Sequence, residues 1–127
     1  MTADEFRRIA LKLPGALEGA HMGHPDFRAN GKIFATLHAG DVTGMIKLPP
    51  EMQQDFVTAD PTTFSPAPGA WGRQGCTVVT LKPANEEQIG EAMTLAWQYT
   101  SKLASRAKAK PQRAKKPAKR PRKSAKQ

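Results

Sequence analysis

A chain of 127 residues has room for one domain and a tail, and its mean hydropathy of -0.57, without an apolar run near the ~18–20 residues of a bilayer span, argues against a membrane protein. The formal charge of +9 is unevenly held: residues 1–104 carry nine Lys/Arg against eleven Asp/Glu, a net of −2, whereas residues 105–127 carry eleven Lys/Arg and no acid. The basicity therefore belongs to the tail. One cysteine, Cys76, excludes an internal disulfide and fits a reducing cytoplasm. Asp4 and Glu5 stand where a secretory signal carries Lys or Arg, so no signal peptide is expected.

Thr2-Ala3-Asp4-Glu5 reads as a capping box, and Phe6, Ile9, Ala10 and Leu13 follow at i, i+3, i+4 and i+7, predicting an amphipathic helix that Pro14-Gly15 ends. Leu17, Ala20 and Met22 carry a weak strand signal, broken at Gly23-His24-Pro25. His21, His24 and Asp26 cluster there. His-x-x-His-x-Asp without a second ligand pair is a poor zinc signature, and His38 and Cys76 could complete it only through tertiary contact. No metal is expected, and His24 reads as a loop histidine bonded to backbone.

The clearest β signal is Asp26–Leu37. Asn30-Gly31 favours a two-residue type I′ turn, flanked by Phe27 and Ala29 on one side and Ile33, Ala35 and Leu37 on the other as the expected buried set. Arg28 and Lys32 fall near the tip on the opposite face. Two cations beside a hairpin turn suit a wing laid against a nucleic-acid backbone; they equally suit protection of a strand edge. Val42–Leu48 reads as a third strand. Pro50 suits the start of a second helix, with Met52, Phe56 and Val57 as its apolar face and Asp60-Pro61 as its end.

Phe64–Gly75 packs prolines, glycines, Trp71 and Arg73 into twelve residues, which argues for a shaped loop and against a helix. Trp71 is either displayed as a binding surface or a core plug around which the glycines let the chain turn. Cys76–Leu81 is a β-branched run and the best central strand, with Cys76 a packing residue rather than a nucleophile. Asn85 and Gln88 form a second capping box. Ile89, Ala92, Met93, Ala96, Trp97 and Thr100 continue at helical spacing, with helical character extending towards Pro111. The rest has no apolar side chain larger than Ala or Pro, so residues 105–127 are expected to form a disordered extension whose texture is similar to linker-histone tails.

At Gly23–Arg28, Gly31–Leu37 and Phe64–Gly75 the chain resembles the MmcQ/YjbR family, and Phe6–Gly15 and Leu95-Ala96-Trp97 also fit. The resemblance covers residues 5–98 and implies an α+β, two-layer fold, with helices on one face of an antiparallel sheet in the order α-β-β-β-α-β-β-α. With the charge division, the chain reads as a domain of this kind over residues 1–104 and a basic tail beyond it. Members are commonly labelled DNA-binding because their hairpins resemble a double wing, a label that rests on fold analogy. No catalytic set comes with the family, and no nucleophile–base pair, phosphate cradle or paired carboxylate is evident, so neither an enzyme nor a cofactor is expected.

Two function classes follow. The first is a cytoplasmic, nucleoid-associated binder of nucleic acid, duplex DNA foremost and with little sequence selectivity. Arg28, Lys32, Lys47 and Arg73 would contribute from the domain, and Arg113, Lys115, Lys116, Lys119, Arg120, Arg122 and Lys123 from the tail. The domain's own net charge of −2 weighs against it. The second is a small-molecule or peptide binder with a pocket between the Gly23–Leu37 hairpin and the Phe64–Gly75 loop, lined by His24, Phe64, Trp71 and Arg73.

Overall fold

In the computed structural model, which describes residues 1–109 apart from Met22, Ala39 and Asp41, the first capping box closes as the sequence dictates. Glu5 N–H donates to Thr2 Oγ1 at 3.1 Å and Thr2 N–H to Glu5 Oε1 at 2.8 Å. Helix α1 (Ala3–Leu11) follows, with Phe6 and Ala10 fully buried. Strands β1 (Leu17–His21), β2 (His24–Ala29), β3 (Lys32–Leu37) and β4 (Thr43–Lys47) precede α2 (Pro50–Ala59). Strand β5 (Phe64–Pro66), the short α3 (Gly69–Arg73), β6 (Cys76–Thr80) and the long α4 (Glu86–Ala109) complete the described chain. The six strands form one antiparallel sheet in the order β1-β2-β3-β4-β6-β5. The architecture is the α+β one expected of the resemblance.

Two elements exceed the expected order. Leu17–His21 pairs along its whole length with β2, from Leu17 opposite Arg28 to His21 opposite His24. Backbone pairing makes this edge strand, and Leu17 remains exposed, which explains its faint apolar signal. Within Phe64–Gly75 a single turn of helix forms, against the expectation of none. Pro68 precedes it, where a missing N–H costs nothing, and the turn closes with Gln74 N–H on Ala70 O at 3.1 Å. Gly and Pro disfavour a long helix; one turn asks little of them.

The hairpin departs from simple alternation. Asn30 and Gly31 both take positive φ, 56° and 75°, as a type I′ turn requires. The register then slips: Phe27 pairs with Ala35 but Arg28 with Ile33, leaving Phe34 as the extra residue of a bulge. Phe34 is therefore buried in the core, and Ile33, expected there, is only half-buried on the other face beside Arg28.

The core fills one side of the sheet. Phe6 meets Phe27 at 6.2 Å between ring centroids, and Leu37, Ile46, Ile89 and Met93 are fully buried around them. Helix α4 starts at its own capping box, with Gln88 N–H donating to Asn85 Oδ1 at 2.8 Å, and runs through residue 104 to Ala109. The expected domain boundary thus falls inside a helix. Trp97 packs partly against the core and donates from Nε1 to Pro14 O at 2.8 Å. Helix α2 has no fully buried residue: Phe56 and Val57 lean on the core, and Gln53 Nε2 donates to Cys76 O and Thr77 Oγ1.

Candidate functional site

The sheet has one covered face and one that is not. Phe27, Ala35, Ile46 and Thr77 lie opposite one another across β2, β3, β4 and β6 and face the helices. One residue along, Asp26, Thr36, Met45 and Val78 form the matching row on the other face. A solvated sheet face is ordinarily polar, yet Ile33, Met45 and Val78 stand on this one, each half-buried.

That face is hollow. A concavity of about 710 Å³ is floored by Ile33, Thr36 and Met45 and rimmed by the hairpin tip at Gly31-Lys32. Ala67 just before α3, Trp71 on α3, and Leu103 near the far end of α4 close its sides. A hydrogen bond from Asn30 Nδ2 to Ser101 Oγ at 2.7 Å ties the hairpin tip to that helix. The lining carries Arg28, Lys32 and Lys47, together with His24 and His38, and no carboxylate among the described residues. Asp26, fully buried beneath Arg28, takes a two-pronged bond from it at 2.7 and 3.0 Å. That pair fixes the guanidinium and raises its pKa, while the side chain stays 45% exposed.

The histidines differ. His38 sits 2.9 Å from Thr43 Oγ1 through Nδ1, and burial together with the charge of His24 holds it below the ordinary imidazole pKa. His24 opens β2 instead of lying in a loop, and its buried Nδ1 has no hydrogen-bond partner among the described residues. Burial also pushes the Cys76 thiol up, away from the thiolate a nucleophile needs. Among the described residues, no group of three His, Cys, Asp or Glu side chains is arranged to hold a metal ion. No helix among them is long and apolar enough to cross a membrane.

Of the residues singled out from sequence, His24, Arg28, Lys32, Lys47 and Trp71 converge on this hollow. Trp71 is 67% exposed, so it is no core plug. Two others lie elsewhere. Phe64 is buried on the helix side, edge-on to Phe56 at 5.3 Å, because it shares a row with Val79 and Leu37. Arg73 is exposed but does not line the hollow. Arg113, Lys115, Lys116, Lys119, Arg120, Arg122 and Lys123 lie outside the described residues.

A family model, YjbR, matches residues 11–99. The chain belongs to the YjbR family. A search of curated proteins returns no match. Among solved structures, the chain is similar to the crystal structure of Deinococcus radiodurans protein DR2400, whose domain is designated DUF419. The two superpose with a TM-score of 0.68 at 20% identity, over 80% of this chain and 79% of that one. At that identity the likeness speaks for the YjbR fold. The match falls on the stretch that carries the resemblance read from sequence, and it stops short of the basic tail.

Thr36, Met45 and Leu103 are not singled out by the sequence, which offers His38 as a metal ligand alone and Cys76 as a metal ligand or a packing residue. Three of the five had a readable signal. Thr36, Met45 and Cys76 occupy the phase opposite to Ala35, Ile46 and Thr77, and so must share the uncovered face once the strand neighbours are known. Leu103 had none, since the reach of α4 past the hairpin is a tertiary fact.

Proposed function

We propose that this YjbR-family protein binds nucleic acid, DNA foremost and with little sequence selectivity, through the hollow sheet face and the basic C-terminal segment together. The observation that carries the reading is the convergence of Arg28, Lys32, Lys47 and the exposed Trp71 on one concave surface, without a carboxylate among its described lining residues. The overall charge of the domain argues against DNA affinity; the distribution answers that objection. The carboxylates of Asp55, Asp60 and Glu91 line a groove between α2 and α4, whereas the cations gather across the sheet from them.

The segment adds the long-range attraction. Residues 110–127 contain nine Lys/Arg and no acid, and each phosphate they neutralise on duplex steepens log K against log salt by about 0.9. The test is a gel-shift titration at several salt concentrations, with the full chain, the chain ended after Ala109 and the full chain carrying Lys32→Gln and Lys47→Gln. Truncation is expected to weaken duplex binding and flatten the slope strongly. The double substitution is expected to lower the slope by about 2, one unit for each lost phosphate contact. Unchanged affinity and slope on truncation would remove the segment from the reading, and no binding by the full chain would remove the reading itself.

One observation favours a second reading, a small anionic ligand. The hollow lies within the roughly 300–1,000 Å³ of small-molecule sites and combines imidazoles with an aromatic wall. Saturable binding of a mononucleotide by the truncated chain, with no gain on lengthening to an oligonucleotide, would favour it.

A further inference from the structure

The hollow presents an exposed tryptophan in a way that discriminates between forms of nucleic acid. We infer that the site takes a single-stranded segment, with an unpaired base stacked on Trp71 and its flanking phosphates on Lys32, Lys47 and Arg28; this rests on the nucleic-acid reading above. In a duplex the faces of the bases are hidden in the stack and only edges and phosphates meet a protein. A tryptophan face can be used only by a base that is out of the stack, and every base then has such a face.

Three features of the fold point this way. Trp71 is two-thirds exposed while the other described aromatics are buried or half-buried, so its place at the rim is not explained by the core. Its mounting is stiff. A Cβ on Gly72 would run into the Ala67 carbonyl and one on Gly75 into the Leu48 carbonyl, so backbone packs directly on backbone within the turn and just after it. Leu48 N–H to Gly75 O and Ala67 N–H to Cys76 O, both 2.9 Å, lock the frame further. An aromatic fixed before its partner arrives loses little freedom on binding. Finally, the cations lie on strands and the hairpin beside the tryptophan, above a floor of Ile33, Thr36 and Met45. This is the combination of stacking platform and backbone-tracking charge that single strands require.

The experiment uses the full chain and three probes: a dT oligonucleotide, its rU counterpart, and a DNA hairpin whose fully paired stem is closed by a non-nucleotide linker, so that no base is unpaired. Tryptophan emission and affinity are both read. The dT or rU strand is expected to quench emission, with the quench retained in Trp97→Phe and lost in Trp71→Leu. Trp71→Ala is expected to weaken single-strand binding about ten-fold or more, the loss of one stacked base, and to change hairpin binding by less than about two-fold. Trp71→Phe should recover part of the loss. A preference for dT or rU names the strand's source. If the hairpin binds but Trp71→Ala weakens both forms equally, or the quench survives without Trp71, stacking is overturned and the nucleic-acid reading stands. If no probe binds, both fall together.

Discussion

Gly75 shows how much one hydrogen atom decides in this protein. Its φ of +104° is closed to ordinary side chains, and a Cβ there would also strike the Leu48 carbonyl. Gly75→Ala is therefore expected to destabilise the fold by about 3 kcal/mol, from backbone strain and displacement of the β6 start. Gly90 is the contrast. It sits inside α4, and beyond its own helix backbone no atom lies within 4 Å of where a methyl group would stand. Gly90→Ala is accordingly expected to stabilise by about 0.5–1 kcal/mol through helix propensity alone. Chemical denaturation of the two variants checks both signs. Equal effects would mean that the frame around Trp71 is softer than its packing shows. The same frame carries the proposed stacking surface, so a Gly75 variant should also lose single-strand affinity without any change of side-chain chemistry at the site.

Between elements, Asp60 joins the end of α2 to the start of α4. Its Oδ2 accepts from Gln88 Nε2 at 2.8 Å and from Thr63 Oγ1 at 2.7 Å, and its Oδ1 from Thr62 Oγ1 at 2.7 Å. These bonds, that from Gln88 foremost, lower its pKa from 3.8 to about 2. A carboxyl with a depressed folded pKa binds its proton more weakly in the fold than in the unfolded chain. Its contribution is thus present above pH ~4 and is lost as pH falls towards 2. Thermal melts of the parent and Asp60→Asn should differ at pH 7, with the parent more stable, and converge across that acid window. Asp55 and Glu91 line the same groove, so the comparison with Asn isolates the Asp60 share. A pH-independent difference would deny that the charge matters. Element by element, what was legible from sequence was local. Both capping boxes, the Asn30-Gly31 turn and Pro50 at a helix start announce themselves because each is settled within a few residues. The bulge at Phe34 and the pairing of β1 depend on a neighbouring strand, so alternation alone placed Ile33 on the wrong face and left Leu17–His21 faint. The site was legible in halves for the same reason. Trp71, His24 and the hairpin cations stand out by type; that Phe64 faces away follows from its pairing with Val79, a contact fifteen residues distant.

For the whole molecule, charge and fold are divided along the chain. Residues 1–109 hold eleven Lys/Arg and eleven Asp/Glu, while the nine cations of residues 110–127 have no acid beside them. Within the neutral part Arg28, Lys32 and Lys47 line the hollow sheet face, and Asp55, Asp60 and Glu91 line the α2–α4 groove. The six-stranded sheet, both capping boxes and the buried aromatics are built from residues 1–109. The basic segment lacks large apolar side chains, which leaves it little surface to bury. Like charges concentrated in one short segment repel each other in both folded and unfolded chains, so their net effect on folding is small. The chain ended after Ala109 is accordingly expected to melt within about 2 °C of the full chain at moderate salt, a difference of well under 1 kcal/mol for a domain of this size. Adding duplex DNA should raise the midpoint of the full chain more than that of the shortened one, because the segment holds the duplex beside the folded sheet face and only contacts made with the folded state stabilise it. A large fall in midpoint on truncation alone would show that the segment packs on the domain, with the acidic α2–α4 groove as the surface of opposite charge for it to meet.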